Sequence, residues 1–177
     1  GILFALVVGP SKHTIYPEHL PDAIRPLAGE TRLDQLARML AGHPEIIFVD
    51  LRRALIAGKG WSQLYFRKDS HWNGAGVFLT YRELMKALEH AGAAVTPPAE
   101  KDYRLERMPP GGRDLSGMLG VRSPELEAAL SLERIPAPRY RMRRIPRRAG
   151  ENPIFMKVSC ETDDPGRPRL LMLRDSF

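Results

Sequence analysis

The apolar residues of this chain come in short uninterrupted runs, and this pattern limits the possible folds more than any other feature. The clearest runs occupy residues 2–8, 46–49 and 170–173. A helix needs roughly 20 apolar residues to cross a bilayer, so none of these runs can span a membrane. Strands buried on both faces of a sheet have this length and composition. We therefore predict a buried strand at each run.

Segments with helical spacing separate these runs. Thr31 is a candidate N-cap, apolar residues follow it at helical spacing, and Gly42 ends the segment. The pattern predicts a longer helix over residues 74–90 and another over residues 126–132. Further strands are expected at residues 64–66, 103–108 and 154–160. Strands alternating with helices favour an α/β fold, with a parallel or mixed sheet that helices cover on both faces, and we expect it to be mainly parallel.

The size and composition fit one globular domain. The chain has 177 residues, of which 43% are hydrophobic and 27% are charged. It opens and closes in apolar runs, so we expect residues 1–177 to be part of a longer protein. The single cysteine, Cys160, excludes an intrachain disulfide and is expected as a small apolar residue in a strand.

The net charge of +6 favours an anionic partner. Much of the excess lies in the arginine strip, residues 134–148, which includes Arg143 and Arg144. The strip is either a solvated loop or a surface that binds an anionic polymer. Only Tyr140 supplies an aromatic side chain there, so nucleic acid is not expected as a partner.

The sequence Asp69-Ser70-His71-Trp72-Asn73 has the residues of a general base with its orienting carboxylate. Histidine suits proton transfer because its unperturbed pKa of about 6.5 lies near working pH. An aspartate two residues away can fold back onto Nδ1 and fix the tautomer. The alternative is structural: Asp69 caps a turn, Asn73 caps the following helix and His71 is incidental.

A matching nucleophile candidate follows the last apolar run. Ser176 comes directly after Asp175, at the predicted end of a buried strand. A serine at such a turn can attack a carbonyl while its own N–H helps to hold the oxyanion. Alternatively, Ser176 is an ordinary turn or N-cap residue. Lys12 follows the first strand and is a candidate substrate contact, although a solvated loop lysine would look the same.

No metal or other cofactor is expected. The histidines do not stand at ligand-pair spacing with carboxylates on one face; they are His13, His19, His43, His71 and His90.

Three stretches together resemble the SGNH-hydrolase-like domains of the AlgX/AlgJ alginate O-acetyltransferase family. They are residues 9–21, residues 64–73 with the helix that follows, and residues 171–177. Residues 112–115 also resemble a family stretch. The resemblance implies a three-layer α/β/α fold, of which this chain would be an incomplete domain. One departure is Arg174, which stands where the family commonly has glycine, so the argument for a tight turn there is weaker.

The resemblance also implies an activity. Ser176 would be the nucleophile, His71 its general base and Asp69 the partner of His71. The enzyme would transfer acetyl groups from a donor to hydroxyls of a secreted, alginate-like polysaccharide, in the periplasm or cell envelope, alongside other exopolysaccharide-assembly proteins. Two alternatives stay open: an acetylesterase with the same triad, and a non-catalytic polysaccharide-binding module.

Overall fold

The computed structural model describes residues 1–24, 29–108, 114–120, 129–134, 140–146, 157–162 and 166–174. The helices are α1 (Lys12–Ile15), α2 (Arg32–Leu40), α3 (Arg52–Gly58), α4 (Gly74–His90) and α5 (Asp114–Met118). The strands are β1 (Phe4–Val8), β2 (Ile46–Asp50), β3 (Tyr103–Met108), β4 (Ala129–Arg134), β5 (Tyr140–Ile145) and β6 (Lys157–Thr162). Single turns of 3₁₀ helix occupy Pro17–His19 and Glu100–Asp102.

A parallel pair of strands forms the centre of the fold. β1 pairs with β2 in register from Phe4 opposite Ile46 to Val8 opposite Asp50. Parallel strands require a crossover connection, and here α1 and α2 lie within it. The predicted first two strands are confirmed. Residues 2–4 are exposed, however, so the first run is not buried along its whole length.

Local signals set the helix boundaries where the sequence predicted them. The Thr31 side chain accepts from the N–H of Asp34, and the Asp34 carboxylate accepts from the N–H of Thr31, which forms a capping box. α4 begins after Asn73 and ends at His90, as its apolar spacing predicted. In the described part of the chain, none of the helices combines the length and apolar character needed to cross a membrane.

The core lies between β2 and the helices α3 and α4. Tyr65 and Phe78 are among its largest fully buried side chains. Replacing a buried Phe by alanine costs about 3–5 kcal/mol, so Phe78 is a principal contributor to stability. The other buried members of this cluster are Ile15, Val49, Leu51, Leu55, Leu64, Ala75 and Leu79.

The remaining described strands form two antiparallel pairs, β3 with β4 and β5 with β6. The helix predicted over residues 126–132 is therefore wrong from Ala129 onward, because these residues pair with β3, with Leu132 opposite Leu105. Residues 121–128 lie outside the described part. Pairing with a distant strand has overridden a weak local helical pattern. The described strands thus form three separate two-stranded sheets, one parallel and two antiparallel, rather than one mainly parallel sheet.

The predicted buried strand at residues 170–173 is also corrected. These residues form no regular element and are exposed, with Leu173 at 89%. An apolar run carries strand propensity, but a strand forms only where a neighbour pairs with it. Among the described residues, β1 pairs with β2 alone, so its other edge carries no strand.

Candidate functional site

Backbone hydrogen bonds close the loop that carries Asp69 and His71. The N–H of Asn73 donates to the carbonyl of Leu64 at 2.8 Å, and the N–H of Phe66 donates to the carbonyl of His71 at 3.1 Å. Because these bonds join the two ends of the loop, Asp69 and His71 lie on a tight, closed turn that leads directly into α4.

The start of α4 holds this loop from its other side. The Asn73 side chain accepts from the N–H groups of Ala75 at 2.9 Å and Gly76 at 3.2 Å, and its amide donates to the carbonyl of Gln63 at 2.7 Å. Asn73 is therefore an N-cap, as the structural interpretation of the sequence held. A Cβ on Gly76 would lie 2.5 Å from the carbonyl oxygen of Leu64, so only glycine fits there.

Asp69 and His71 form a close pair. Oδ1 of Asp69 lies 2.6 Å from Nδ1 of His71 and also accepts from the backbone N–H of His71 at 2.9 Å. Asp69 thus caps the turn, as the structural interpretation held, and also contacts the imidazole of His71. In a catalytic triad the histidine bonds the carboxylate through Nδ1 and takes the proton of the nucleophile at Nε2, and the Asp69–Nδ1 bond is the first of these two relationships.

The environment keeps Asp69 ionised although it is only 5% exposed. Burial alone would raise the pKa of Asp69. The backbone N–H groups of His71 and Asp114, together with the imidazole of His71, outweigh burial and lower the pKa below its usual value. A buried carboxylate that stays charged can fix the tautomer of a histidine and stabilise its protonated form.

Lys12 contacts the backbone of this same loop. Its ammonium donates to the carbonyl oxygens of Phe66 at 2.7 Å, Arg67 at 2.9 Å and Asp69 at 3.2 Å. These contacts tie α1 to the segment immediately before His71. A role in binding substrate stays a prediction for Lys12, while the geometry gives it a structural one.

Asp114 is part of the site, and the sequence reasoning assigned it no function. Its backbone N–H donates to Oδ2 of Asp69 at 3.1 Å, and its Oδ2 lies 3.7 Å from Nδ1 of His71. The only signal in the sequence was that residues 112–115 resemble a family stretch. Its contacts join parts of the chain that are far apart in sequence, so local patterns could not reveal them.

The described part of the chain contains one group of side chains that could hold a metal ion, formed by Asp69, His71 and Asp114. One possible ligand atom of each lies within 4.8 Å of the others. Nδ1 of His71 is already bonded to Asp69 at 2.6 Å. A cation bound through Nδ1 would have to displace that hydrogen bond, so the geometry favours a hydrogen-bonded base.

The sequence predicted three further site residues, namely Ser176, Arg143 and Arg144. Ser176 falls outside the described residues. Arg143 and Arg144 are exposed on β5, where consecutive side chains point to opposite faces, so the two cannot contact one ligand from the same face. Their segment is a strand rather than a loop. Cys160 lies in β6, as expected of a strand residue, but it is exposed.

Several solved structures share the fold of this chain. It matches the O-acetyltransferase domain of Pseudomonas putida AlgJ with a TM-score of 0.51 at 22% identity, covering 73% of this chain and 47% of that one. It matches Bacillus cereus PatB1 with a TM-score of 0.53 at 19% identity, covering 74% and 44%. A DHHW family protein from Eubacterium siraeum gives 0.53 at 19%, covering 80% and 45%. At these identities the likeness shows the fold, an α/β domain that this chain shares with all three structures.

The family of the chain follows from the sequence. Residues 1–151 match the family described as "SGNH hydrolase-like domain, acetyltransferase AlgX", and the chain belongs to this family. The resemblance noted from the sequence is thereby confirmed. A curated relative, "Probable alginate O-acetylase AlgJ" of Pseudomonas fluorescens, is 30% identical over 89 residues. That match covers 50% of this chain and 22% of the relative.

Proposed function

We propose that this chain carries the acid–base half of a serine-dependent O-acetyltransferase site, and that Ser176 supplies the nucleophile. The observation that carries the proposal is the buried Asp69 carboxylate held 2.6 Å from Nδ1 of His71. Family membership supports acetyl transfer as the reaction. The name of the AlgJ relative supports a polysaccharide such as alginate as the acceptor.

The proposed reaction has two steps. In the first, Nε2 of His71 takes the proton of the Ser176 hydroxyl as its oxygen attacks the acetyl carbonyl of the donor. The bond from the acetyl group to the donor breaks, and the imidazolium returns the proton to the leaving group. The products are acetyl-Ser176 and the free donor.

In the second step a sugar hydroxyl takes the place of Ser176. Nε2 of His71 accepts the hydroxyl proton as the sugar oxygen attacks the acetyl carbonyl. The bond between the acetyl group and Ser176 breaks, and Ser176 regains a proton from the imidazolium. Asp69 stays ionised throughout and stabilises the imidazolium in both steps.

Residues 170–173 could dock on the edge of β1 that carries no strand within the described ranges, and this would bring Ser176 toward the site. The apolar side chains of residues 170–173 are exposed, as are those of Ile2 and Phe4 next to that edge. Pairing would bury both sets and satisfy the backbone groups of the edge. We propose this strand addition as the step that completes a three-layer α/β/α domain and its triad. We also propose that the domain is part of a longer protein.

The charge distribution supports an anionic acceptor. The net charge is +6, and β5 presents Arg141 and Arg143 on one face, opposite Glu161 and Ser159 of β6. We propose that this face binds the polymer and that the protein acts in the periplasm or cell envelope with other polysaccharide-assembly proteins. The same surface supports a second candidate function, a polysaccharide-binding module without catalysis.

Turnover of p-nitrophenyl acetate separates these functions. It is measured for the wild type, Ser176→Ala and His71→Ala, on the 177-residue chain and on the longest form of the protein that its source expresses. Turnover that both substitutions abolish supports the triad, and equal background rates in all three contradict it and favour the binding module. Adding an oligosaccharide acceptor then distinguishes transfer, which yields acetylated sugar, from hydrolysis, which yields acetate alone.

A further inference from the structure

We propose that Asp114 is a positioning residue for the Asp69–His71 pair and that Ser70 is the link through which its carboxylate acts. The inference rests on the proposed function, because the pair matters to catalysis only if His71 serves Ser176. The positioning itself is independent of turnover and can be measured without it.

The backbone of Asp114 assigns separate partners to the two oxygens of the Asp69 carboxylate. The N–H of Asp114 donates to Oδ2 at 3.1 Å, while Oδ1 faces the imidazole at 2.6 Å. A carboxylate bonded on one side only could rotate and exchange its oxygens. With a donor fixed on each oxygen, the plane of the Asp69 carboxylate is held toward Nδ1 of His71.

The side chain of Asp114 holds the residue between the pair. Its Oδ1 accepts from the backbone N–H of Ser70 at 2.7 Å, and its Oδ2 accepts from the hydroxyl of Ser70. Because Ser70 joins Asp69 to His71 directly, these two bonds restrain the separation and the relative orientation of both side chains. A third bond, from the N–H of Ser116 to the carbonyl of Lys68 at 3.3 Å, ties α5 to the same loop.

Two groups beyond Asp69 also lie close to Nδ1. The Ser70 hydroxyl is 3.5 Å from Nδ1 and Oδ2 of Asp114 is 3.7 Å from it. Among the described residues, His71 therefore has two carboxylates on its Nδ1 side, one in direct contact and one a little further away. The second carboxylate accepts from the Ser70 hydroxyl and so holds that hydroxyl beside the ring.

Such positioning has a measurable value in catalysis. A misplacement of about 1 Å in a reacting group can cost roughly 100-fold in rate, even when the altered residue touches no substrate. For comparison, partners that orient a metal-bound histidine typically contribute roughly 10–100-fold to metal affinity or activity. We therefore expect Asp114→Ala to lower kcat about 10–100-fold while KM stays within about twofold, because the carboxylate acts through the pair and not on substrate.

The decisive measurement is the proton resonance of Nδ1–H in protein with ¹⁵N-labelled histidine, since a proton in a 2.6 Å bond to a carboxylate is strongly deshielded. Spectra are compared for the wild type, Asp114→Ala, Asp114→Asn and Ser70→Ala. The control is Asp22→Ala, which removes an exposed carboxylate elsewhere on the surface. Thermal melting monitors folding, and p-nitrophenyl acetate turnover is recorded on the same samples.

We expect the deshielded resonance to move upfield or broaden into solvent exchange in Asp114→Ala, to change less in Asp114→Asn and to stay unchanged in Asp22→Ala. If Asp114→Ala does not fold, Ser70→Ala decides the question, because it removes the hydroxyl link alone. An unchanged resonance in the folded variants overturns the inference, whatever the rates. A changed resonance in a protein without Ser176-dependent turnover supports the positioning and contradicts the proposed function.

Discussion

The ammonium of Lys12 lies 2.7 Å from the carbonyl oxygen of Phe66, which fastens α1 to the loop that carries Asp69 and His71. Two further carbonyls, those of Arg67 and Asp69, accept from the same ammonium. We expect Lys12→Met to lower the free energy of unfolding by about 1.5–3 kcal/mol, because hydrogen bonds to a charged donor are lost and their acceptors are left unpaired. Chemical denaturation measures this loss.

The control for Lys12 is Lys101→Met, which removes an exposed lysine. It should change the free energy of unfolding by less than about 0.5 kcal/mol. If Lys12 instead contacts substrate, which was one of the two interpretations of the sequence, Lys12→Met would raise KM and leave stability unchanged. That outcome would contradict the structural role.

The pair itself gives a second prediction. Asp69→Asn keeps the size of the side chain but removes the charge that faces Nδ1 of His71 at 2.6 Å. By analogy with serine-protease triads, we expect kcat to fall roughly 10³–10⁴-fold, since the amide favours the wrong tautomer and does not stabilise the imidazolium. Steady-state kinetics with p-nitrophenyl acetate measures this, with Asp22→Asn as the matched control. A fall of less than about tenfold would mean that Asp69 only caps its turn.

Gly76 should resist a substitution that usually stabilises helices. Alanine in a helix interior is favoured over glycine by about 1 kcal/mol. A Cβ at position 76 would nevertheless lie 2.5 Å from the Leu64 carbonyl oxygen and 2.8 Å from Cβ of Trp72. We expect Gly76→Ala to be destabilising by about 1–3 kcal/mol and to lower turnover, because the loop must shift. Gly117→Ala in α5, where no atom lies within 4 Å, is the control and should not destabilise.

Charge reversal at the two arginines of the predicted polymer site, Arg143 and Arg144, should affect polysaccharide binding to different extents. Arg143 lies opposite Ser159 on a polar face of the β5–β6 pair, whereas Arg144 lies on the other face opposite Val158. We expect Arg143→Glu to weaken binding of an anionic polysaccharide by about 1 kcal/mol or more, a roughly fivefold loss, and to reduce its salt dependence. Arg144→Glu is the matched control. Equal effects of both, or none from either, would contradict binding by this face.

Lowering the pH should remove the contribution of Asp34 to the free energy of unfolding. The hydrogen bond from Thr31, followed by that from Arg52, lowers the pKa of Asp34 to about 2. A carboxylate with a lowered pKa contributes stability above its unfolded pKa of about 4, and this is lost as the pH falls through the folded value. The difference in free energy of unfolding between the wild type and Asp34→Asn should therefore have its full value above about pH 4 and decrease toward zero near pH 2. Urea denaturation across this range measures it, and a pH-independent difference would contradict the assignment.

The sequence predicted well what a few neighbouring residues determine. Thr31 and Asn73 are N-caps because capping depends on groups two or three residues away. Asp69 meets His71 because one turn of chain joins them. These relationships are local, and their physical basis is visible in the order of the residues.

The features that the sequence did not predict depend on contacts between residues far apart in the chain. The helical pattern near Leu130 and Leu132 yields to pairing with β3, and the apolar run at 170–173 lies exposed rather than in a strand. Asp114 contacts Asp69 and Ser70 across a separation of 45 and 44 residues. No periodicity or motif spacing encodes such contacts, because they arise only when the chain is folded.

The hydrogen bonds of Lys12 and Asp114 also bear on the order in which the site forms during synthesis. Both act on the loop that carries Asp69 and His71, and among the described residues these contacts come from positions up to 116, which leave the ribosome early. Ser176 emerges much later. If Ser176 is the nucleophile, as proposed, the nascent chain would hold the Asp69–His71 pair before its nucleophile is made, and reactivity would begin only after residue 176 has emerged.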